Sequence, residues 1–85
     1  MAEKKLIGKV MHFFPKPSVA VIKLSDVLKV GDKISIEGRG SIVEQTVDSM
    51  EVEHKKIPSA KKGDEIGLKV NGKAKDGDDV FKVIA

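Results

Sequence analysis

The chain has 85 residues, room for one domain with a small core, and its lack of cysteine excludes disulfides and thiolate metal sites. Charged residues make up 34% of it but balance to a formal net charge of +3, which is modest for a dedicated nucleic-acid binder. The lysines of MAEKK have no apolar signal core behind them, and LIGKVMHFF is too short and interrupted to span a membrane. A soluble, cytoplasmic, single-domain protein over residues 1–85 is therefore expected.

Lys5 to Phe14 is a long apolar-rich run closed by Pro15 and Pro17, as a first strand would be, because proline cannot donate to a ladder. SVAVIKL, from Ser18, is rich in β-branched residues and reads as a second strand. SDVLKV can form one helical turn from Ser25 or Asp26 and no more, and no window of the chain carries a sustained helical period. KISIEG places Ile34 and Ile36 on one face and Lys33, Ser35 and Glu37 on the other, and Gly38-Arg39-Gly40 marks a turn. SIVEQTVDSMEVEH then runs long, and its alternation slips between Val47 and Met50 as at a β-bulge. EIGLKV aligns Ile66, Leu68 and Val70, and DVFKVI is the last strand. Six short strands at turn-marked intervals predict an all-β fold closed into a barrel, since closure removes exposed sheet edges.

One phrase recurs: LKVGDKISI from Leu28, AKKGDEIGL from Ala60 and AKDGDDVFK from Ala74. In each copy a glycine follows lysine-containing sequence and precedes an aspartate, and a strand then begins. Glycine takes a positive φ at no steric cost, and aspartate can accept from nearby backbone amides, so the phrase predicts a strand corner. The third copy puts Lys82 where the others put an apolar residue, which suggests Phe81 and Val83 as its inward side chains. A calcium loop would need a different aspartate order and a closing glutamate, and a phosphate loop would need glycine, four residues, then Gly-Lys-Ser/Thr; neither is present. The copies are unevenly spaced, which excludes a solenoid.

The order of these phrases resembles the β-barrel domain that follows the G domain in elongation factor Tu and other translation elongation and initiation factors. The matching elements are Gly8-Lys9-Val10, Val19-Ala20-Val21, Leu28-Lys29-Val30-Gly31-Asp32, Val47-Asp48-Ser49-Met50, Ala60 to Gly67, and Gly77-Asp78-Asp79-Val80. The resemblance covers about residues 5 to 84 and implies a free-standing, six-stranded, mostly antiparallel closed barrel. It implies a translation-linked binding module that contacts ribosomal RNA or the acceptor end of tRNA. It does not carry over GTP hydrolysis, which belongs to the G domain. Similar barrels end U32-type peptidases, so an alternative is a protein-interaction accessory that docks on such a peptidase or on a GTPase.

The residues themselves argue against catalysis, and no cofactor or metal is expected. His12 lies among Met11, Phe13 and Phe14 and reads as a partly buried structural residue; His54 heads a lysine-rich loop and reads as solvated. The serines sit in no nucleophile-elbow motif. Glu51 and Glu53 share a strand face and read as solvent-facing opposite Met50 and Val52. Two features suggest binding to a nucleic-acid backbone. Lys55, Lys56, Lys61 and Lys62 flank an apolar-proline kink whose loop could track phosphates. Arg39, alone between two glycines, could reach a phosphate with two hydrogen bonds. With three phenylalanines as the only aromatic residues, stacking on bases is not expected.

Overall fold

A computed structural model describes residues 3–16, 18–53 and 55–84; the strand-ending Pro17 and the solvated His54 of the sequence reading fall outside them. The described chain is all-β with no helix. Its strands are β1 (Lys4–Phe14), β2 (Val19–Leu24), β3 (Leu28–Lys29), β4 (Lys33–Gly38), β5 (Ser41–Thr46), β6 (Met50–Val52), β7 (Lys55–Ile57), β8 (Ser59–Ala60), β9 (Glu65–Lys69) and β10 (Asp79–Val83). Eight form one antiparallel sheet in the order β5-β4-β10-β1-β2-β9-β6-β7, and β3 pairs with β8.

The expected six-stranded closed barrel is corrected on both counts. There are ten strands in two sheets among the described residues, and no ladder joins the margins β5 and β7 of the larger sheet. The single long strand expected over SIVEQTVDSMEVEH is also split, with the break where the alternation slips. The cause is local: Val47 gives its carbonyl to Gly31 N–H at 2.8 Å and its N–H to Asp32 O at 2.8 Å. Those two bonds take its backbone out of the sheet, and β6 starts afresh at Met50.

Bulges do occur, but in β1. Register shifts between Leu6 and Gly8, where β1 pairs with β10, and between Val10 and His12, where it pairs with β2. Bulges bend a strand and raise its twist, so one 11-residue strand serves β10 with its first half and β2 with its second. The sheet wraps around a core that includes Ile7, Val10, Ile22, Leu24, Leu28, Ile34, Ile36, Met50, Ile66, Leu68 and Val80. In β10 the inward residue is Val80, fully buried, while Phe81 and Val83 are half-buried; Lys82 instead reaches Asp32 at 3.2 Å. Ser35, on the face opposite Ile34 and Ile36, is also fully buried, in register with Phe81, and its hydroxyl donates to Glu37 at 2.9 Å. SDVLKV forms a bend leading into β3, with Asp26 Oδ1 accepting from Val27 N–H at 2.7 Å.

The recurring phrase builds the same corner three times. Asp32, Asp64 and Asp78 each donate their N–H to the carbonyl three residues back, on Lys29, Lys61 and Lys75, at 3.0–3.1 Å. Each aspartate's Oδ2 in return accepts that lysine's N–H at 2.9–3.0 Å. The glycines between them have φ of 97°, 92° and 90°, as a type II turn requires at its third position. Each turn then clamps a buried residue. Gly31, Gly63 and Gly77 donate to the carbonyls of Val47, Leu24 and Val10, whose own N–H groups bond the carbonyls of Asp32, Asp64 and Asp78. The motif is therefore a corner plus a backbone clamp, and the residues held are core residues.

Candidate functional site

The residues expected to meet a nucleic-acid backbone fall on three separate elements. Lys55 and Lys56 lie exposed on the margin strand β7, with Lys56 in register with Glu51 across the ladder. Lys61 and Lys62 are exposed in the second Gly-Asp corner, where the Lys61 backbone is tied to Asp64. Arg39 sits at the β4–β5 turn, at the other end of the sheet order. It lines a cleft of about 570 Å³ that also carries Glu37, Asp76, Asp78 and Asp79. Carboxylates outnumber cations there, so the field in that cleft opposes a phosphate.

His12 is more exposed than expected, its side chain 54% accessible. The bulge before it rotates the ring outward, where it meets Phe14 edge-on at 4.4 Å and places Nδ1 3.6 Å from Asp76 Oδ2. Asp76 also accepts the Phe13 N–H at 3.1 Å.

Ion pairs tie the sheet's outer surface. Lys4 bonds Glu37 at 2.6 Å and Lys5 bonds Asp26 at 2.5 Å. The Lys4 ammonium, helped by the Ser35 hydroxyl, holds the Glu37 carboxyl below its usual 4.5. Lys5, then the Val27 N–H, holds Asp26 below its usual 3.8. The Glu37 carboxylate in turn raises Lys4 above 10.5. Both carboxyls bind protons more readily in the unfolded chain, so their stabilisation is present above pH 4.5 and is lost as pH falls through the lowered folded values. The Lys4 contribution is present below pH 10.5 and is lost as pH rises through its raised value. Thermal midpoints should therefore form a plateau with an acid limb, and Asp26→Asn should flatten that limb; an unchanged limb would show that Asp26 gives no pH-linked stability.

A second concavity, of about 800 Å³, lies on the outer face of β2, β9 and β6. Its floor is set by register: Val21 pairs with Gly67, which pairs with Glu51. Because side chains alternate across a strand, this row faces away from the core residues Ile22, Ile66 and Leu68. Val19 and the half-exposed Phe14 complete an apolar surface, and Gly67 contributes no side chain to it. Glu51, Glu53, Asp64 and Glu65 line the margins, with Lys16 as the cation among the lining residues. Glu51 is thus solvent-facing as expected, while Glu53 leaves the strand at a positive φ of 50°. The sequence reading gave Gly67 no role beyond its place in a motif; the available signal was an isolated glycine inside an alternating strand.

No family model matches the chain. It is 45% identical over 76 residues to an uncharacterized protease of Methanocaldococcus jannaschii, a match that covers 88% of this chain and 19% of the protease. It is 41% identical over 49 residues to elongation factor 1-alpha of Methanococcus vannielii, covering 58% of this chain and 11% of that factor. Two crystal structures of the C-terminal domain of a Geobacillus thermoleovorans protein, assigned to the U32 peptidases, share the fold. One, the selenomethionine variant, superposes with a TM-score of 0.84 at 15% identity, covering 89% of this chain and 96% of that domain; the other gives 0.85 at 16%, covering 92% and 91%. These matches overturn the elongation-factor identification, and with it the expected link to translation, the ribosome and RNA: the protease match spans most of the chain, whereas the elongation-factor match is partial. The chain spans about a fifth of the length of the curated protease it matches (19%), and in fold it is similar to the terminal domain of a peptidase.

Proposed function

We propose that this chain is a non-catalytic accessory domain that docks on a partner peptidase of the U32 type. The observation that carries the reading is the 45% identity to a segment making up only 19% of a protease, together with a fold likeness to a peptidase's C-terminal domain. A unit of this size can be one folded module of a larger enzyme. The chain's own polar chemistry supports a structural and binding role. Asp32, Asp64 and Asp78 are spent on backbone turns, Gln45 on a backbone bridge, and Glu37 and Asp26 on surface ion pairs. The sheet, with its corners clamped three times, would present a rigid outer surface to that partner.

The test is affinity capture with the tagged chain from nuclease-treated extract of its source cells, read by mass spectrometry. A U32-type peptidase is expected as the enriched protein, in stoichiometric amount. Recovery of ribosomal proteins alone, or hydrolysis of a peptide by the purified chain itself, would overturn the reading.

A further inference from the structure

Of the eight glycines, four have a positive φ, and at three others an added Cβ would meet a neighbouring atom closer than 3.0 Å. Gly67 alone has neither reason. Its φ lies outside the left-handed region, and a Cβ there would sit 3.5 Å from Val19 Cγ1 and 3.8 Å from Glu51 O, which are ordinary contacts. Glycine inside a strand costs about 0.5–1 kcal/mol relative to alanine. It is found at bulges, at sharp bends, or where another group approaches the backbone closely. The β2–β9 register runs unshifted from Val19–Lys69 to Lys23–Glu65, so there is no bulge at Gly67. A bend of the strand and the close approach of another group remain, and the concavity that Gly67 lines favours the second.

The surroundings state what would approach. Val19, Val21 and Phe14 offer an apolar floor on the outer face of the sheet. Around it stand Glu51, Glu53, Asp64 and Glu65 against one lining lysine, in a chain whose overall charge is +3. Glu51, Glu53 and Glu65 form no ion pair among the described residues. An apolar floor with an acidic margin complements an apolar side chain flanked by cations. Across the strands the register leaves a gap one side chain wide at Gly67, between Val21 and Glu51, which a single inserted side chain would fill.

We propose that the groove over Gly67 seats an extended protein segment, with an apolar side chain resting on Gly67 and lysine or arginine to either side. The proposal rests on the accessory-domain reading in one respect: the segment belongs to the partner peptidase.

Two experiments separate the claims. In the first, the isotope-labelled full chain is titrated by NMR with the synthetic peptide Lys-Lys-Ser-Leu-Ser-Lys-Lys. Amide shifts centred on Val19, Val21, Glu51 and Gly67 are expected, with a dissociation constant of about 1 mM or tighter. Gly67→Val should weaken binding at least about tenfold, a loss of about 1.4 kcal/mol, while leaving the thermal midpoint level or raised, because a β-branched residue suits a strand. The peptide Glu-Glu-Ser-Leu-Ser-Glu-Glu should give no shifts there. Equal response to both peptides, undiminished binding by Gly67→Val, or a collapse of the fold in that variant would each overturn the groove. In the second, affinity capture is repeated with Gly67→Val, and loss of the peptidase is expected. If the variant still captures it, the groove is wrong and the accessory role stands; if neither form captures it while the wild type binds the basic peptide, the accessory role falls and the groove stands.

Discussion

Replacing Gln45 by alanine is expected to lower stability by about 1–3 kcal/mol, since a typical hydrogen bond contributes about 0.5–1.5 kcal/mol and this side chain makes two. Gln45 is 7% exposed in the margin strand β5. Its amide nitrogen donates to Lys69 O at 2.8 Å, and its amide oxygen accepts from Asn71 N–H at 2.6 Å. No backbone ladder joins β5 to the end of β9, so this one side chain fastens two parts of the sheet that strand pairing leaves apart. Alanine leaves the Lys69 carbonyl and the Asn71 amide, on two exposed residues, without a protein partner in this part-buried spot. For a domain of this size each kcal/mol moves the thermal midpoint by roughly 4–8 °C, so a drop of roughly 5–20 °C is expected. Gln45→Glu offers a second check. A carboxylate can accept from Asn71 N–H but would set its other oxygen against the Lys69 carbonyl. Protonation turns that oxygen into a donor, so this variant should gain stability relative to wild type as pH falls, against the acid limb of the parent. A midpoint for Gln45→Ala within a few degrees of wild type would show that the bridge is dispensable.

Glycine-to-alanine substitution should separate two mechanisms within one chain. At Gly31, Gly63 and Gly77 nothing lies within 4 Å of an added Cβ, so the cost is purely conformational. The left-handed region costs an L-residue about 1–2 kcal/mol, and the stiffer unfolded chain returns about 0.4–1 kcal/mol. A net loss of about 1 kcal/mol per site follows. D-alanine, introduced by chemical synthesis, should be neutral or stabilising at all three. Gly8 is different. A Cβ there would lie 2.8 Å from the Lys23 carbonyl oxygen and 2.9 Å from Ile22 Cγ2, and the first of these is backbone that cannot turn aside. Gly8→Ala should therefore cost about 2–3 kcal/mol through overpacking, and D-alanine should not rescue it at the bulged junction where β1 passes from β10 to β2. Urea-denaturation midpoints at constant slope would measure both classes. Equal losses at Gly8 and Gly63 would falsify the steric account.

The all-β class, the strand order along the chain and the corner role of the Gly-Asp phrases were legible because each depends on neighbours in sequence. Alternation in KISIEG and EIGLKV sets which side chains go inward, and a turn of four residues is complete within its own stretch of chain. Val80 was misplaced because one lysine, Lys82, broke the pattern that located its neighbours; the structure shows Lys82 reaching Asp32, a residue fifty positions away. The elongation-factor resemblance was carried by the same corner phrases. Such phrases report how a strand is entered, and any protein that turns its chain this way will repeat them.

What the amino-acid order determined by itself was therefore local: strands of period two, corners at Lys-x-Gly-Asp, and a core mainly of aliphatic residues without helix or thiol. The tertiary structure alone decided that Val47 leaves the sheet for the clamp of a distant corner, that Gln45 bridges to the end of β9, and that Arg39 stands among carboxylates far in strand order from the lysines of β7. It also decided that Gly67 lies open beneath an acidic rim. The physical reason is range: backbone preference and alternation act over a few residues, whereas hydrogen bonds, charge surroundings and empty space are set by pieces of chain that meet only after the sheet has wrapped.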